Sequence, residues 1–399
     1  MIATSYHLRP RRGWLNDPNA VTQVAGRWHV FFQHNPDAPR HAQIAWGHAT
    51  SVDLATWQLE PVAFRPTPGG PDAAGCWSGV YLPGHDRPGV AYSGVQDRSG
   101  QSTVCLRWGS PDLRDWDDPI VVARTPGQVT IMRDPYLLEY QGRRLAILGA
   151  ELPGAQAAVL LYDRDDELHW RYQGTLVADD PVMRAAGPAD IWECPQLFPL
   201  EGRWVLVVSL HHRGVLGAVV AAVGELATVD GQLRFQAEAA TPIDTGRDLY
   251  APQVSLADGE PLLIGWIREP DQDPAVRDQA GCLSLPRRLR LAGTTVVSQV
   301  DPGAATALRG QRVPTRTGDI DLTDRRWSLT VTGPGAALRH PVHGLLPVAA
   351  GDQIWVDGPV VELYHPAAAA STWRHDQPWR LELNEPAAVE ICEVRPRTP

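Results

Sequence analysis

Three acidic residues sit in settings that fix a carboxylate in place. Asp17 lies in Gly13-Trp14-Leu15-Asn16-Asp17-Pro18-Asn19-Ala20, Asp134 in Met132-Arg133-Asp134-Pro135-Tyr136, and Glu193 in Asp190-Ile191-Trp192-Glu193-Cys194-Pro195-Gln196. A proline after an aspartate restricts it to extended backbone angles and removes one backbone N–H. Asp17 and Asp134 are therefore expected on fixed, non-helical segments. Met alone, such strings also read as an Asx turn or a surface salt bridge, although a Glu between Trp and Cys suits a solvated face poorly. Two carboxyls on either side of one bond, one ionised and one protonated, are the apparatus of glycoside hydrolysis. Crowding of like charges beside an apolar wall such as Trp192 would raise the pKa of one member. Arg133 would clamp ligand hydroxyls and help keep Asp134 ionised.

These acids are far apart in the chain, so the fold must bring them together. Runs such as Val30-Phe31-Phe32, Leu145-Ala146-Ile147-Leu148, Ala157 to Tyr162 and Trp204 to Ser209 have strand length and are bounded by Gly, Pro, Asp or Asn. Trp28-His29-Val30-Phe31-Phe32-Gln33 reads as a half-buried strand ending in a polar amide. Helical periodicity is almost absent, so the fold class is all-β. Ser51-Val52-Asp53-Leu54-Ala55-Thr56-Trp57 returns as Ser110-Pro111-Asp112-Leu113-Arg114-Asp115-Trp116, with looser echoes at Asp166 to Trp170 and Asp230 to Phe235. That period is what propeller blades of about four short strands need. Asp134 and Glu193 are 59 residues apart, one period, and Asp17 precedes Asp134 by 117, about two. Equivalent positions on successive blades face one central channel, which turns three remote acids into one cluster.

The expected organisation is a five-bladed β-propeller over 1–298 followed by a small β-sandwich-like module over 299–399. Residues 301–318 read as loop, and Ala367-Ala368-Ala369-Ala370 as a loose loop after His365-Pro366. The second module shows nothing catalytic, and its strongest claim is to cover the rim of the first.

Composition narrows the function. A formal charge of -10 without a Lys/Arg stripe argues against nucleic acid. No basic region leads an apolar run at the start and no long apolar stretch follows, so neither a secretory signal nor a membrane span is expected, and a cytoplasmic location follows. Five scattered cysteines without a CxxC read as reduced thiols. The histidines lack ligand spacing and there is no Gly-rich phosphate loop, so neither metal nor cofactor is expected. With 15 Trp against 5 Phe, stacking on sugar faces is one use of the surplus and core packing the other.

The chain resembles glycoside hydrolase family 32, the β-fructofuranosidases. The resemblance rests on Trp14-Leu15-Asn16-Asp17-Pro18-Asn19, Phe32-Gln33-His34-Asn35-Pro36, Trp46-Gly47-His48, Trp77-Ser78-Gly79, Arg133-Asp134-Pro135, Trp192-Glu193-Cys194-Pro195, Tyr250-Ala251-Pro252-Gln253, Gly265-Trp266 and Leu285-Pro286-Arg287, in the family's order. It implies the same propeller and sandwich. It also implies Asp17 as nucleophile, Glu193 as acid and then base, and Asp134 as transition-state stabiliser, in a retaining reaction through a covalent fructosyl-enzyme. Asn16, Gln33 and Arg133 would bond the fructosyl unit, with Ser78 and Asp190 beside them. Trp46, Trp77 and Trp266 would form apolar walls, with blade packing the alternative for Trp46 and Trp266, and Tyr250 would sit near Glu193.

Ala20 stands where the family usually has Gly, and Val80, after Ser78-Gly79, would narrow or dry one side of the pocket. The second module is short for the family. The implied substrate is a small carbohydrate, sucrose or a short fructan. Pairing of two copies of the chain is left open. The alternatives are transfer to a sugar acceptor, a sucrose 6-phosphate substrate met by His41, Arg40 or Arg213, a non-catalytic sugar-binding propeller, and an inverting arabinan-type hydrolase.

Overall fold

The computed structural model of the chain describes residues 6–97, 101–322 and 325–395. Up to Val300 the strands form five sheets, each entered by its own long strand: Gly13–Val24, Gly75–Leu82, Ile131–Tyr140, Ile191–Leu200 and Leu249–Ser255. Each sheet is built on an antiparallel meander, as tight turns dictate, with one parallel strand added to the first sheet and a long connection, 268–286, inside the fifth. The five entry strands touch one another in cyclic order, the last against the first. The short strand Gln279–Ala280 locks this ring by pairing in parallel with Gly13 and Trp14.

The repeated Ser-x-Asp-Leu-x-x-Trp is a turn device at one place in successive sheets. It joins Ala45–Ser51 to Gln58–Leu59 in the first sheet and Ser102–Trp108 to Ile120–Arg124 in the second. Its leucines, Leu54 and Leu113, take φ of 58° and 61°. Asp53 accepts from the Ala55 and Thr56 N–H groups, and Ser110 donates to Asp112 at 2.6 Å. Both echoes fall on the corresponding third-to-fourth connections of the next two sheets.

The entry strands are bulged where the acids lie. Register breaks fall between Leu15 and Pro18, Cys76 and Gly79, Glu193 and Gln196, and Tyr250 and Gln253, while the strand after Asp134 shifts between Ile147 and Gly149. Asp134, Cys194 and Ala251 have φ of 62°, 47° and 43°. Pro18, Pro135, Pro195 and Pro252 occupy these breaks, where no ladder donor is needed. A bulge re-aims side chains that a regular strand would bury between sheets. Side-chain amides then stitch the ring: Asn19 accepts from Gly79 N–H, Gln196 from Val254 N–H, and Gln253 from Val21 N–H. Ala20 does adopt a left-handed φ of 45°, so the alanine is carried at a strain of about 1–2 kcal/mol.

Val300 ends the fifth sheet. Residues after it differ from the loop expected over 301–318: Pro302–Leu308 is a helix, followed by the strand Arg309–Val313. Asp301 caps it by accepting from Ala304 N–H and Pro302 sits at its first position, a start signal that outweighs the Gly and Thr content. The second module packs a six-stranded sheet against a four-stranded one over a shared core that includes Trp327, Leu329, Leu338, Trp373 and Leu381. Ala367 to Ala369 are loop.

A buried charge network joins the modules. His7 bonds Asp357 at 2.9 Å and Glu362 at 2.7 Å, while Arg287 bonds Asp244 at 2.8 Å and Glu362 at 2.5 Å. The four cysteines 76, 105, 194 and 282 are buried free thiols. Among the described residues no helix is long and apolar enough to cross a membrane.

Candidate active site

One open cavity of about 480 Å³ lies where the bulged strands converge, and Asp17, Asp134 and Glu193 all line it. Asn16, Gln33, Trp77, Ser78, Arg133, Tyr250 and Trp266 line it too. It has the size and mixed lining of a small-molecule site.

Asp17 is the most fully hydrogen-bonded of the acids. Ser78 Oγ donates to its Oδ2 at 2.5 Å, Gln33 Nε2 donates to the same oxygen at 3.0 Å, and Asn16 Nδ2 donates to Oδ1 at 2.9 Å. The Asn16 amide is oriented by Trp14, whose Nε1 donates to its Oδ1 at 2.7 Å. Burial pushes the Asp17 carboxyl up to about 6, with the Glu193 charge adding to it, while the Ser78 and Asn16 bonds pull it down. Asp134 accepts the Cys194 backbone N–H at 3.0 Å. Burial first and the charge of Glu193 second push it to about 7, against the pull of Arg133. The Cys194 thiol lies 3.7 Å from Asp17 and 3.6 Å from Asp134, so one sulfur touches both carboxyls.

Glu193 is more open than the two aspartates. Tyr250 Oη donates to Oε2 at 2.8 Å, and Arg133 Nη1 stands 3.6 Å from Oε1. The Arg133 guanidinium also lies over the Trp77 ring at 5.5 Å, a cation–π arrangement that fixes both. Its side chain is 14% exposed, the kind of access that a proton-transfer group needs.

Four sequence expectations are placed elsewhere. Trp46 is fully buried among Phe31, Phe64 and Tyr92 and does not line the cavity, because its strand faces the gap between the first two sheets. Its Nε1 donates to the Trp77 carbonyl at 3.1 Å, so it supports a wall from behind. Asp190 also stays outside the lining, its carboxylate taken by Arg213 N–H at 2.6 Å and His211 Nδ1 at 3.2 Å. Val80 joins the core between the second and third sheets and neither narrows nor dries the cavity. Trp192 faces away from the cavity as well, so burial itself, not that ring, shifts the aspartates.

Trp14, His41, His211, Leu216, Arg268, Glu269 and Pro270 complete the lining. His41 had been expected only as a phosphate partner. Trp14 and Arg268 were legible by alternation, each two residues from a named lining residue. His211 and Leu216 face each other at the paired ends of strands Arg203–His212 and Val215–Val229, and Glu269-Pro270 lies in the loop after Leu262–Ile267; none of them left a local signal. Arg40 and Arg213 do not line the cavity; Arg268 does, beside Tyr250 at 5.4 Å from its ring.

One group outside the cavity has nitrogen donors close enough for a metal. His340, His343 and His375 each offer an atom within 4.8 Å of the others. Two of the three have a ring nitrogen engaged, however: His340 Nδ1 accepts from Val342 and His343 N–H, and His375 Nδ1 accepts from Gln377 N–H. The group is a hydrogen-bonded stack against Trp373 and Trp379.

Residues 7–300 match the family model of the glycosyl hydrolases family 32 N-terminal domain. The sucrose-6-phosphate hydrolase of Bacillus subtilis is 32% identical over 327 residues, 77% of this chain and 67% of that protein. The sucrose-6-phosphate hydrolase of Klebsiella pneumoniae is 34% identical over 279 residues, 67% of this chain and 59% of that protein. The chain thus spans 59–67% of the length of these two curated relatives. Among solved structures, a GH32 β-fructofuranosidase of Bombyx mori aligns with a TM-score of 0.81 at 22% identity, covering 100% of this chain and 95% of that one. The sucrose-6-phosphate hydrolase from Lactobacillus gasseri aligns with a TM-score of 0.83 at 20% identity, covering 98% and 93%.

Proposed function

This chain belongs to glycosyl hydrolase family 32, and from that premise we propose that it releases terminal β-D-fructofuranosyl units from sucrose or short fructo-oligosaccharides with retention of configuration. We read its five sheets as the blades of a propeller and its last two as a sandwich. The observation that carries the function is the division among the three acids in one cavity. Asp17 is buried under three donors, Asp134 is held on a backbone N–H, and Glu193 reaches open space on a tyrosine hydroxyl.

Asp17 attacks the anomeric carbon of the fructosyl unit while Glu193 protonates the departing oxygen. Water, deprotonated by Glu193, then cleaves the fructosyl ester. Asp134 holds sugar hydroxyls and offsets the positive charge that develops on the ring. Asn16, Gln33 and Ser78 keep the Asp17 carboxylate ionised and aimed. Trp77 and Trp266 supply apolar walls.

The test is fructose and glucose release from sucrose by the wild type and Glu193→Gln, beside inulin, levan and 1-kestose. Equal amounts of the two sugars, lost in the variant, support hydrolysis. Glucose in clear excess over fructose would assign the reaction to fructosyl transfer instead.

A second reading has one specific observation behind it. The Arg268 guanidinium lines the cavity, and a cation beside the leaving group suits a phosphorylated sugar. A higher kcat/KM for sucrose 6-phosphate than for sucrose, reversed in Arg268→Leu, would establish it.

A further inference from the structure

We infer that the second module is a working part of this site: Arg374 and Asp376 hold the cavity's rim segment 269–278, which through Asp271 and His41 fixes the Gln33 amide on Asp17.

A chain of hydrogen bonds runs from one module to the other. Glu269 is 2% exposed and lines the cavity. A buried carboxylate is stable only when paired and hydrogen-bonded, and this one accepts from Arg9 at 2.6 Å, Arg277 at 2.5 Å, Arg374 at 2.6 Å and the Gly281 N–H at 2.9 Å. Arg374 belongs to the second module's edge strand Ser371–Arg374. Asp376, two residues on, takes the other end of Arg277 at 2.9 Å. Both ends of the rim segment are thereby tied to the second module.

The middle of the segment is tied to the opposite rim. Gln272 N–H donates to Pro39 O at 2.9 Å, and His41 N–H donates to Asp271 Oδ1 at 3.1 Å. The His41 side chain reaches Gln33, with Nε2 3.3 Å from Oε1. An amide whose oxygen takes this bond must present its nitrogen to the other side. There it donates to both Ser78 and Asp17. Burial lowers the proton affinity of His41, leaving a neutral ring with one N–H to give. His41 and Arg374 are positioning residues in this scheme, which rests on Asp17 being the nucleophile.

The test compares His41→Phe, Arg374→Met and the double variant in the full chain, with thermal melts to confirm folding. Asp17 is faced by Asn16, Gln33, Ser78 and Cys194 and by the carboxyls of Glu193 and Asp134, so loss of the Gln33 orientation favours its protonated form. His41→Phe is expected to lower kcat about tenfold with KM little changed, and to move the acid limb of the pH profile upward. Arg374→Met is expected to move both in the same direction by less, and the double variant to fall no further than His41→Phe, because the two act in series. Arg374→Lys should restore part of the loss. A folded Arg374→Met with unchanged kcat and pH profile, or effects that simply multiply, would overturn the inference. A wild type without fructose release would instead overturn the proposed function. The relay is then read by histidine ring resonances in NMR, where Arg374→Met should shift His41, and an unmoved His41 would sink it.

Discussion

Ser78 Oγ and Asp17 Oδ2 lie 2.5 Å apart, although 61 residues separate them in the chain. The bond joins the second sheet to the first at the site's most important carboxylate. It favours the charged form, holding at about 6 a carboxyl that burial alone would push higher. Ser78→Ala removes the donor, so the Asp17 pKa rises further and less of it is ionised at a given pH. A bond to a charged group is worth about 1.5–3 kcal/mol, which corresponds to roughly one pH unit or more. The acid limb of kcat/KM against pH should move upward by about that amount, while the activity near pH 8 falls less. An acid limb that stays in place would contradict this role.

Asp134 shows the opposite face of the same electrostatics. Its folded pKa is raised from 3.8 to about 7. A carboxyl whose folded pKa lies above its unfolded value adds stability only while protonated, and its ionisation opposes folding as pH rises. Asp134→Asn should therefore raise the Tm at pH 8 while abolishing turnover, a gain of about 1–3 kcal/mol. The gain should vanish near pH 4, where the native carboxyl is already neutral. Thermal melts of both proteins across pH 4–8 measure it, and a variant less stable than wild type at pH 8 would refute it.

Much of this arrangement is legible in the sequence. The Ser-x-Asp-Leu-x-x-Trp repeat marked one turn in successive sheets, and the Asp-Pro and Glu-Cys-Pro strings marked bulges on their entry strands. Both are local devices, so local sequence announces them. Trp46 was read as a cavity wall because its type suits sugar, yet which face of a strand is lined by a cavity depends on the neighbouring sheet. Glu269 left no signal, since its setting is made by Arg277 on its own loop and by Arg9 and Arg374 from two distant segments. The helix Pro302–Leu308 was hidden by Gly and Thr content, although Asp301-Pro302 announced its start.

The network between the modules gives stability a defined pH window. Hydrogen bonds to Asp357 and Glu362 outweigh burial and raise His7 to about 9, while Arg287 and His7 lower Glu362 to about 2. The His7 contribution is complete below its unfolded value near 6.5 and is lost as pH rises through 9. The Glu362 contribution is complete above 4.5 and is lost as pH falls toward 2. Tm should fall between pH 7 and 9.5, and His7→Gln should flatten that slope. It should also cost about 3–5 kcal/mol at pH 6, because two buried carboxylates lose a partner. An unchanged alkaline slope in the variant would contradict the assignment.

Gly149 tests how tightly adjacent sheets are seated. A Cβ there would stand 2.2 Å from the Trp192 carbonyl oxygen, next to Glu193. Neither atom is the end of a flexible side chain, so the two strands must part. Gly149→Ala should lose about 2 kcal/mol or more and lower kcat by displacing Glu193. A Tm within about 1 °C of wild type, equivalent to about 0.8 kcal/mol for a chain of this length, would show that the strands are loosely seated.

The central claim is that Asp17 forms a bond to the fructosyl unit and Glu193 then frees it. The direct measurement is intact and peptide mass spectrometry of Glu193→Gln after mixing with β-fructosyl fluoride. Fluoride departs without needing a proton from residue 193, so the first step proceeds. The second step lacks its base, so the intermediate accumulates. The account predicts one added fructosyl unit, mapped to Asp17 and absent in the Asp17→Asn, Glu193→Gln double variant. Rapid fluoride release with no adduct, or an adduct on Asp134, would contradict it.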